Sequence, residues 1–225
     1  QNYRGINYTD LRIVNDNVRV DPTIKDEKGF NADIGVRGKK GDKFNYDVNF
    51  FSLYYNQKVG SIQLVDSNIN IIRFKTNLSN SRSLGVESFV EVDILKCINE
   101  TSDFGVSLFS NFTYTNAIYV KSPNKQIEKK QVEFSPQFIF RGGASFKYKT
   151  FAFSWQISTV SKQFTDATNA TYVSTAVIGV IPTYYVMDIT TSYTYKFVKF
   201  SCSVNNLSNN KYFTRRAESY PGPGI

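Results

Sequence analysis

Apolar and polar residues alternate with a period of two along eight stretches of this chain, and no other feature constrains its fold as strongly. In residues 104–114, Phe104, Val106 and Leu108 fall on one face, whereas Gly105 and Ser107 fall on the other. Successive side chains of a β-strand point to opposite faces of the sheet, so the alternation predicts strands with one apolar and one polar face. The predicted strands are residues 29–38, 44–57, 84–94, 104–114, 137–148, 150–163, 185–197 and 198–206.

The predicted strands are long, and the connections between them alternate in length. Several exceed the five or six residues usual in globular domains, and a tilted strand needs about 9–11 residues to cross a bilayer. Short turns are predicted at residues 39–43 and 96–103 and near 149 and 197, with long polar loops at 58–82, 118–136, 164–182 and the C-terminal segment. Aromatic residues flank the tight turns, as in the interfacial girdles of outer-membrane barrels. These features predict an all-β fold, a transmembrane antiparallel up-and-down β-barrel.

Both ends of the chain look like long loops on the same side of this barrel. Eight strands could close on their own, but an isolated barrel of this kind would keep its ends on the side of the short turns. The sequence therefore predicts about eight strands of a larger barrel. Two alternatives remain open from the pattern: a passive porin-like or adhesin-type barrel, and a soluble all-β binding module whose apolar face is a core.

Composition excludes several functions. The chain has no histidine and two cysteines, Cys97 and Cys202, which form no CxxC pair. A Cys/His zinc site and a histidine-dependent catalytic triad are therefore excluded, and we expect no enzyme activity, metal or cofactor. The carboxylates Glu87, Glu91 and Asp93 share one strand face, as expected of a polar barrel lumen.

The net charge of +8 does not indicate a nucleic-acid partner. The lysines are scattered over turns and loops, and no segment combines a basic stripe with a nucleic-acid motif. Arg215 and Arg216 are stronger candidates for binding, because two guanidinium groups on an outer loop can each hold a carboxylate through paired hydrogen bonds. The alternative is that they form loop-packing ion pairs with neighbours such as Glu218.

The closing segment NNLSNNKYFTRRAESYPGPGI resembles the penultimate strand and last extracellular loop of TonB-dependent outer-membrane receptors, most closely the ferric dicitrate branch of Bacteroidetes-type bacteria. DPTIKDEKGFNADIGVRG is similar to the family segment that enters a mid-barrel strand. SRSLGVESFVEVDIL and VSKQFTDATNA also resemble pieces of such barrels. The resemblance covers essentially the whole chain in collinear order.

The resemblance implies that residues 1–225 are a partial C-terminal domain of a 22-stranded barrel, without the plug domain and the final strand. It implies an outer-membrane receptor that imports an iron chelate, a siderophore or ferric dicitrate, using TonB-coupled energy. The expected partners are the TonB complex through the plug, the chelate, and outer-membrane lipids and lipopolysaccharide. An accessory surface lipoprotein is a further candidate partner. Arg4, Arg215 and Arg216 are the expected ligand-proximal cations.

Overall fold

The computed structural model describes residues 2–13, 18–65, 67, 69, 71–99, 101–122, 124–171 and 179–214. The elements run in the following order: β1 Asn2–Arg4, α1 Tyr8–Leu11, β2 Val18–Val20, β3 Glu27–Lys40, β4 Phe44–Val65, β5 Ile71–Asp93, α2 Ile94–Ile98, β6 Phe104–Lys121, β7 Phe138–Tyr148, β8 Phe151–Val160, β9 Gln163–Phe164, β10 Val180–Ile181, β11 Tyr184–Tyr195 and β12 Val198–Val204. No helix among these residues is long and apolar enough to cross a membrane.

The long strands form one ten-stranded sheet in the order β1-β3-β4-β5-β6-β7-β8-β11-β12, with β2 joined to β5. The eight long strands form seven antiparallel pairs, each between neighbours along the chain, and among the described strands only β2 pairs in parallel. This confirms the predicted all-β, up-and-down architecture. Within the described residues the sheet stays open, as expected of a section of a larger barrel.

The strand register separates an apolar face from a polar face. Ile34 pairs with Phe50, and across the next strands Phe50, Val86, Tyr114 and Phe138 follow one another on the same face. Side chains of this face are exposed although apolar, with Ile34 at 75% and Phe50 at 59%. An outward apolar band over a polar interior is the arrangement of a membrane barrel.

The other face of the sheet is polar and carries charged side chains, as expected of a barrel lumen. Arg37 pairs in register with Asp47, and the same row continues through Phe89 and Asn111 to Arg141. The Arg37 Nε lies 3.8 Å from a carboxylate oxygen of Asp47. The period-two pattern therefore gave the correct inward and outward faces for these strands.

Three strands extend by more than five residues beyond their predicted bounds, and most of the predicted loop at 58–82 is wrong. β4 continues to Val65 and β5 begins at Ile71, and the two pair over this whole extension. A β-bulge between Tyr55 and Lys58, where Gln57 has a φ of 55°, disturbs the alternation. A bulge inserts an extra residue and breaks the period of two. The predicted strand therefore ends at Gln57, although the real strand continues. Likewise β6 continues to Lys121, past the predicted end at residue 114.

The bulge divides the molecule into two regions. We call residues 29–55, 81–116, 138–160 and 184–204 the lower sheet; the short turns lie at its far end. We call the described parts of residues 2–28, 58–80, 117–137 and 161–183 the outer layer. The outer layer has its own core, formed by Leu78, Ala117, Tyr119, Ile127, Val132 and Ala167.

Candidate ligand-facing site in the outer layer

Two buried carboxylates organise an ion-pair cluster in the outer layer, formed by Arg4, Asp10, Glu27, Lys58 and Lys75. The Glu27 side chain is only 1% exposed. Its carboxylate accepts hydrogen bonds from the Arg4 guanidinium at 3.1 Å, from the Lys58 ammonium at 3.1 Å and from the backbone N–H of Val59 at 2.9 Å. A buried charge is stable only when it is paired and hydrogen-bonded, and Glu27 meets this condition.

Asp10 is the second carboxylate of the ion-pair cluster. The Arg4 guanidinium donates to both its oxygens, at 2.8 and 2.9 Å, and the Lys75 ammonium donates at 2.9 Å. Asp10 also closes a capping box with Asn7 at the start of α1. Burial alone would raise the pKa of the Asp10 carboxyl, but the hydrogen bonds from Arg4, Lys75 and the Asn7 backbone outweigh it and lower the pKa to about 2.

A third carboxylate, Glu133, joins three segments of the chain. It accepts a hydrogen bond from the Tyr119 hydroxyl at 2.6 Å and another from the Ser61 N–H at 2.8 Å. Burial raises the pKa of Glu133, and these hydrogen bonds only partly oppose the effect. The Ser61 carbonyl in turn accepts the Ala167 N–H at 3.0 Å, so residues 161–171 pack against the same strands.

A cleft of about 270 Å³ opens between these groups. Four cationic side chains and three carboxyls line it: Arg4, Lys58, Arg73 and Lys75, with Asp10, Glu27 and Glu133. The Arg73 guanidinium donates to the Thr165 carbonyl at 3.3 Å and lies 5.7 Å from the centre of the Phe134 ring. The cleft is therefore a mixed-charge surface in which the cations are held by carboxylates or carbonyls.

A larger groove of 640 Å³ runs along the inner face of the lower sheet. Asp33, Asp47, Glu87 and Arg37 are its charged lining residues. It contains three carboxylates and one guanidinium, which makes the groove acidic. Its geometry is that of a polar barrel lining, as the sequence predicts for Glu87.

Arg4 lies within the ion-pair cluster, and its side chain is 38% exposed. Arg215 and Arg216 lie outside the described residues. Ligand contact by the three arginines stays a prediction. Alternation did not indicate Asp10, Glu27 or Glu133, because each has a partner far away in sequence: Lys75 at 65 residues, Lys58 at 31 and Ser61 at 72. Cys97 and Cys202 are free and exposed. No group of three metal-ligating side chains occurs in the part of the chain that the structure describes.

The chain belongs to the TonB-dependent receptors, because the family model for the TonB dependent receptor-like β-barrel matches residues 1–207. Members of this family are outer-membrane proteins of Gram-negative bacteria, and they are transport receptors rather than enzymes. This confirms the resemblance drawn from the sequence motifs and removes the soluble binding module as an alternative.

Solved structures of the same architecture resemble the chain at low sequence identity. The ferric citrate transporter FecA in its unliganded form is 21% identical, with a TM-score of 0.71 over 88% of this chain. The copper transporter OprC is 15% identical, with a TM-score of 0.67 over 99% of this chain. The ferric yersiniabactin receptor FyuA of Yersinia pestis is also 15% identical, with a TM-score of 0.63 over 85%.

The chain spans 30% of FecA, 34% of OprC and 26% of FyuA. At these identities the likeness shows the fold alone. No curated protein matches the chain in sequence.

Proposed function

We propose that this chain is part of an outer-membrane receptor that imports an iron chelate with energy from the TonB complex. The observation that carries the proposal is the family match over residues 1–207. FecA and FyuA, which the chain resembles in fold, are named for ferric citrate and ferric yersiniabactin. The described chain supplies a section of barrel wall and the packed outer layer above it.

Ferric citrate is the first substrate to test. Citrate is rich in carboxylates, and guanidinium groups bind carboxylates through two parallel hydrogen bonds. Arg215 and Arg216 stand side by side in the segment that most resembles the ferric dicitrate branch, which also favours a Bacteroidetes-type source. We therefore propose these two arginines as chelate contacts on the last outer loop.

Arg4 has a different expected role in the receptor. Both Asp10 and Glu27 already accept hydrogen bonds from its guanidinium. Binding a chelate carboxylate would use its remaining exposed surface. Substituting Arg4 is therefore expected to disturb the ion-pair cluster before it affects affinity, which separates Arg4 from Arg215 and Arg216 in an experiment.

The test measures binding of ferric citrate, ferric enterobactin and Cu²⁺ to the complete receptor in detergent. We expect ferric citrate to bind, and the Arg215→Gln/Arg216→Gln variant to bind it roughly 10²- to 10⁴-fold more weakly, since the charge-assisted hydrogen bond lost at each arginine contributes about 1.5–3 kcal/mol. Arg12→Gln, at another exposed arginine, serves as the matched control and should leave affinity unchanged.

Unchanged affinity in the double variant would contradict the assignment of the two arginines. Binding of Cu²⁺ alone would contradict the iron-chelate proposal.

Energy coupling needs a separate measurement. Cells that carry the receptor are expected to accumulate ferric citrate only when TonB is present, because release from a plugged barrel requires work from the inner membrane. Uptake that continues at full rate in cells without TonB would favour the passive, porin-like alternative.

A further inference from the structure

Two adjacent tight turns at the far end of the lower sheet have the same construction. In the β7–β8 turn Lys149 follows Tyr148, and in the β11–β12 turn Lys196 follows Tyr195. The Lys149 ammonium lies 5.2 Å from the centre of the Tyr148 ring, and the Lys196 ammonium lies 5.5 Å from the centre of the Tyr195 ring. The turns are neighbours, because the Thr194 N–H donates to the Thr150 carbonyl at 3.0 Å.

Both lysines occupy a backbone conformation that does not favour lysine. Lys149 has a φ of 51° and Lys196 a φ of 52°, in the left-handed region where glycine or asparagine is more easily accommodated. The β3–β4 turn of the same sheet places Gly41 at such a position, with a φ of 56°. Turn geometry alone therefore does not explain a lysine at both places.

The two tyrosine rings that the ammonium groups contact lie on the apolar face of the sheet. Tyr193 pairs with Phe151, and alternation puts Tyr195 and Tyr148 on the same side as these aromatic residues. This surface is exposed, with Phe197 at 93%, Phe200 at 60% and Tyr195 at 56%. Each lysine thus stands at the edge of an aromatic band, where the headgroups of a bilayer would lie.

The charge around the two turns is cationic. Residues 145–153 and 192–202 contain lysines but no aspartate or glutamate. Asp103 precedes β6 at the same end of the sheet. Phe104 of β6 pairs with Tyr148, so Asp103 lies on the side of the Lys149 turn that faces away from Lys196. Short turns of outer-membrane barrels face the periplasm, which places this cationic pair at the inner leaflet.

We propose that these two turns form a binding site for the phosphate of an anionic glycerophospholipid of the inner leaflet, held between the ammonium groups of Lys149 and Lys196. The aromatic side chains beside them contact the glycerol and upper acyl region, where amphipathic rings lie in membranes. The site is independent of the transported substrate and would fix the height of the β7–β12 wall in the bilayer.

The test uses the complete receptor and measures retained phosphatidylglycerol by native mass spectrometry, with phosphatidylcholine as the zwitterionic reference. The variant is Lys149→Asn/Lys196→Asn, because asparagine removes the charge but accepts the left-handed backbone. We expect the amount of retained phosphatidylglycerol to fall roughly fivefold for each lysine that is replaced, which is the contribution of one cation at an anionic membrane surface. Lys149→Arg/Lys196→Arg should retain the lipid.

The control is Lys162→Asn/Lys211→Asn, which makes the same charge change at exposed lysines away from these turns. Unchanged phosphatidylglycerol retention in the turn variant, or an equal loss in the control, would overturn the proposal. Loss of bound lipid A instead of phosphatidylglycerol would also overturn it, because lipid A occupies the other leaflet. A folded receptor changes its mobility on a gel after heating, so a variant without this change has failed to fold. In that case phosphatidylglycerol retention is compared between the single variants Lys149→Asn and Lys196→Asn.

Discussion

The lower sheet and the outer layer share strands β3 to β6 but are stabilised in different ways. In the described part of the lower sheet many large apolar side chains are exposed and none is buried; Phe30, Ile34 and Leu108 are examples of exposed ones. In the outer layer the buried hydrophobic residues meet in a small core around Tyr119 and Ile127. Every buried hydrophobic side chain of the described residues lies in the outer layer.

The difference follows from the solvent of each region. Lipid covers the apolar face of the lower sheet, so this face needs no protein partner, and the backbone groups are satisfied along the strand ladders. Water surrounds the outer layer, so it must bury apolar surface and pair its buried charges like any globular domain. The two regions should therefore respond to opposite kinds of substitution.

The largest expected effect is the loss of the buried carboxylate in the outer layer. Glu27→Gln removes the charge that holds Arg4 and Lys58, and breaking a buried ion pair costs about 3–5 kcal/mol. We expect the outer layer to become sensitive to limited proteolysis while the lower sheet stays folded. The control is Asp47→Asn, at an exposed pair with Arg37, where about 0–1 kcal/mol is expected. Equal protease resistance in the two variants would show that the cluster does not stabilise the outer layer.

A charge on the lipid-facing side should have the next largest effect. Ile34→Arg places a guanidinium on the apolar face in the middle of β3, which costs about 2–4 kcal/mol near the bilayer midplane. Asn49→Arg is the matched control, because Asn49 lines the acidic inner groove. Urea unfolding in lipid vesicles measures the difference. If Asn49→Arg proved the more destabilising, the assignment of the two faces would be reversed.

Crowding around Gly60 gives a third, smaller test. A Cβ added at Gly60 would approach an oxygen of Glu133 to 2.4 Å and the Tyr119 hydroxyl to 2.6 Å. Gly60→Ala should therefore destabilise the outer layer by about 1–3 kcal/mol, the usual cost of overpacking. Gly105→Ala in the lower sheet, whose nearest neighbour would be 3.7 Å away, should be nearly neutral. Amide hydrogen exchange of residues 58–65 measures the change, and we expect it to be faster in Gly60→Ala. An unchanged exchange rate would exclude this packing around Gly60.

The smallest expected effect is a pH dependence confined to the outer layer. The folded-state pKa of Asp10 is lowered from 3.8 to about 2. Its stabilising contribution is therefore complete above about pH 4 and is lost as the pH falls towards 2, because the unfolded chain binds the proton more tightly. Proteolysis of the outer layer at pH 3 and pH 5 measures the effect, and Asp10→Asn should reduce the difference. The remainder comes from Asp21, Asp26 and Glu128, whose carboxyl pKa values are also lowered by hydrogen bonds. A difference that is just as large in Asp10→Asn would contradict the role given to Asp10.

The alternation of apolar and polar residues predicted the strands of the lower sheet well, because each strand there has one apolar and one polar face. The prediction failed at Gln57, where the bulge breaks the period. It could not identify the outer cluster, since Lys58 lies 31 residues from Glu27 and Lys75 lies 65 residues from Asp10. Arg4 could be recognised as a cation near the outer end, but nothing local indicates that two carboxylates bind it.

The central claim is that lipid takes the place of a core around the lower sheet. Spin labels placed one at a time at residues 32–37 of β3 test it directly, through their accessibility to oxygen and to a water-soluble nickel complex. We expect the accessibility to alternate with a period of two along the strand. Oxygen should reach labels at Ala32, Ile34 and Val36, and the nickel complex should reach labels at Asp33 and Arg37. Uniform accessibility along the strand, or nickel access at Ile34 and Val36, would contradict it.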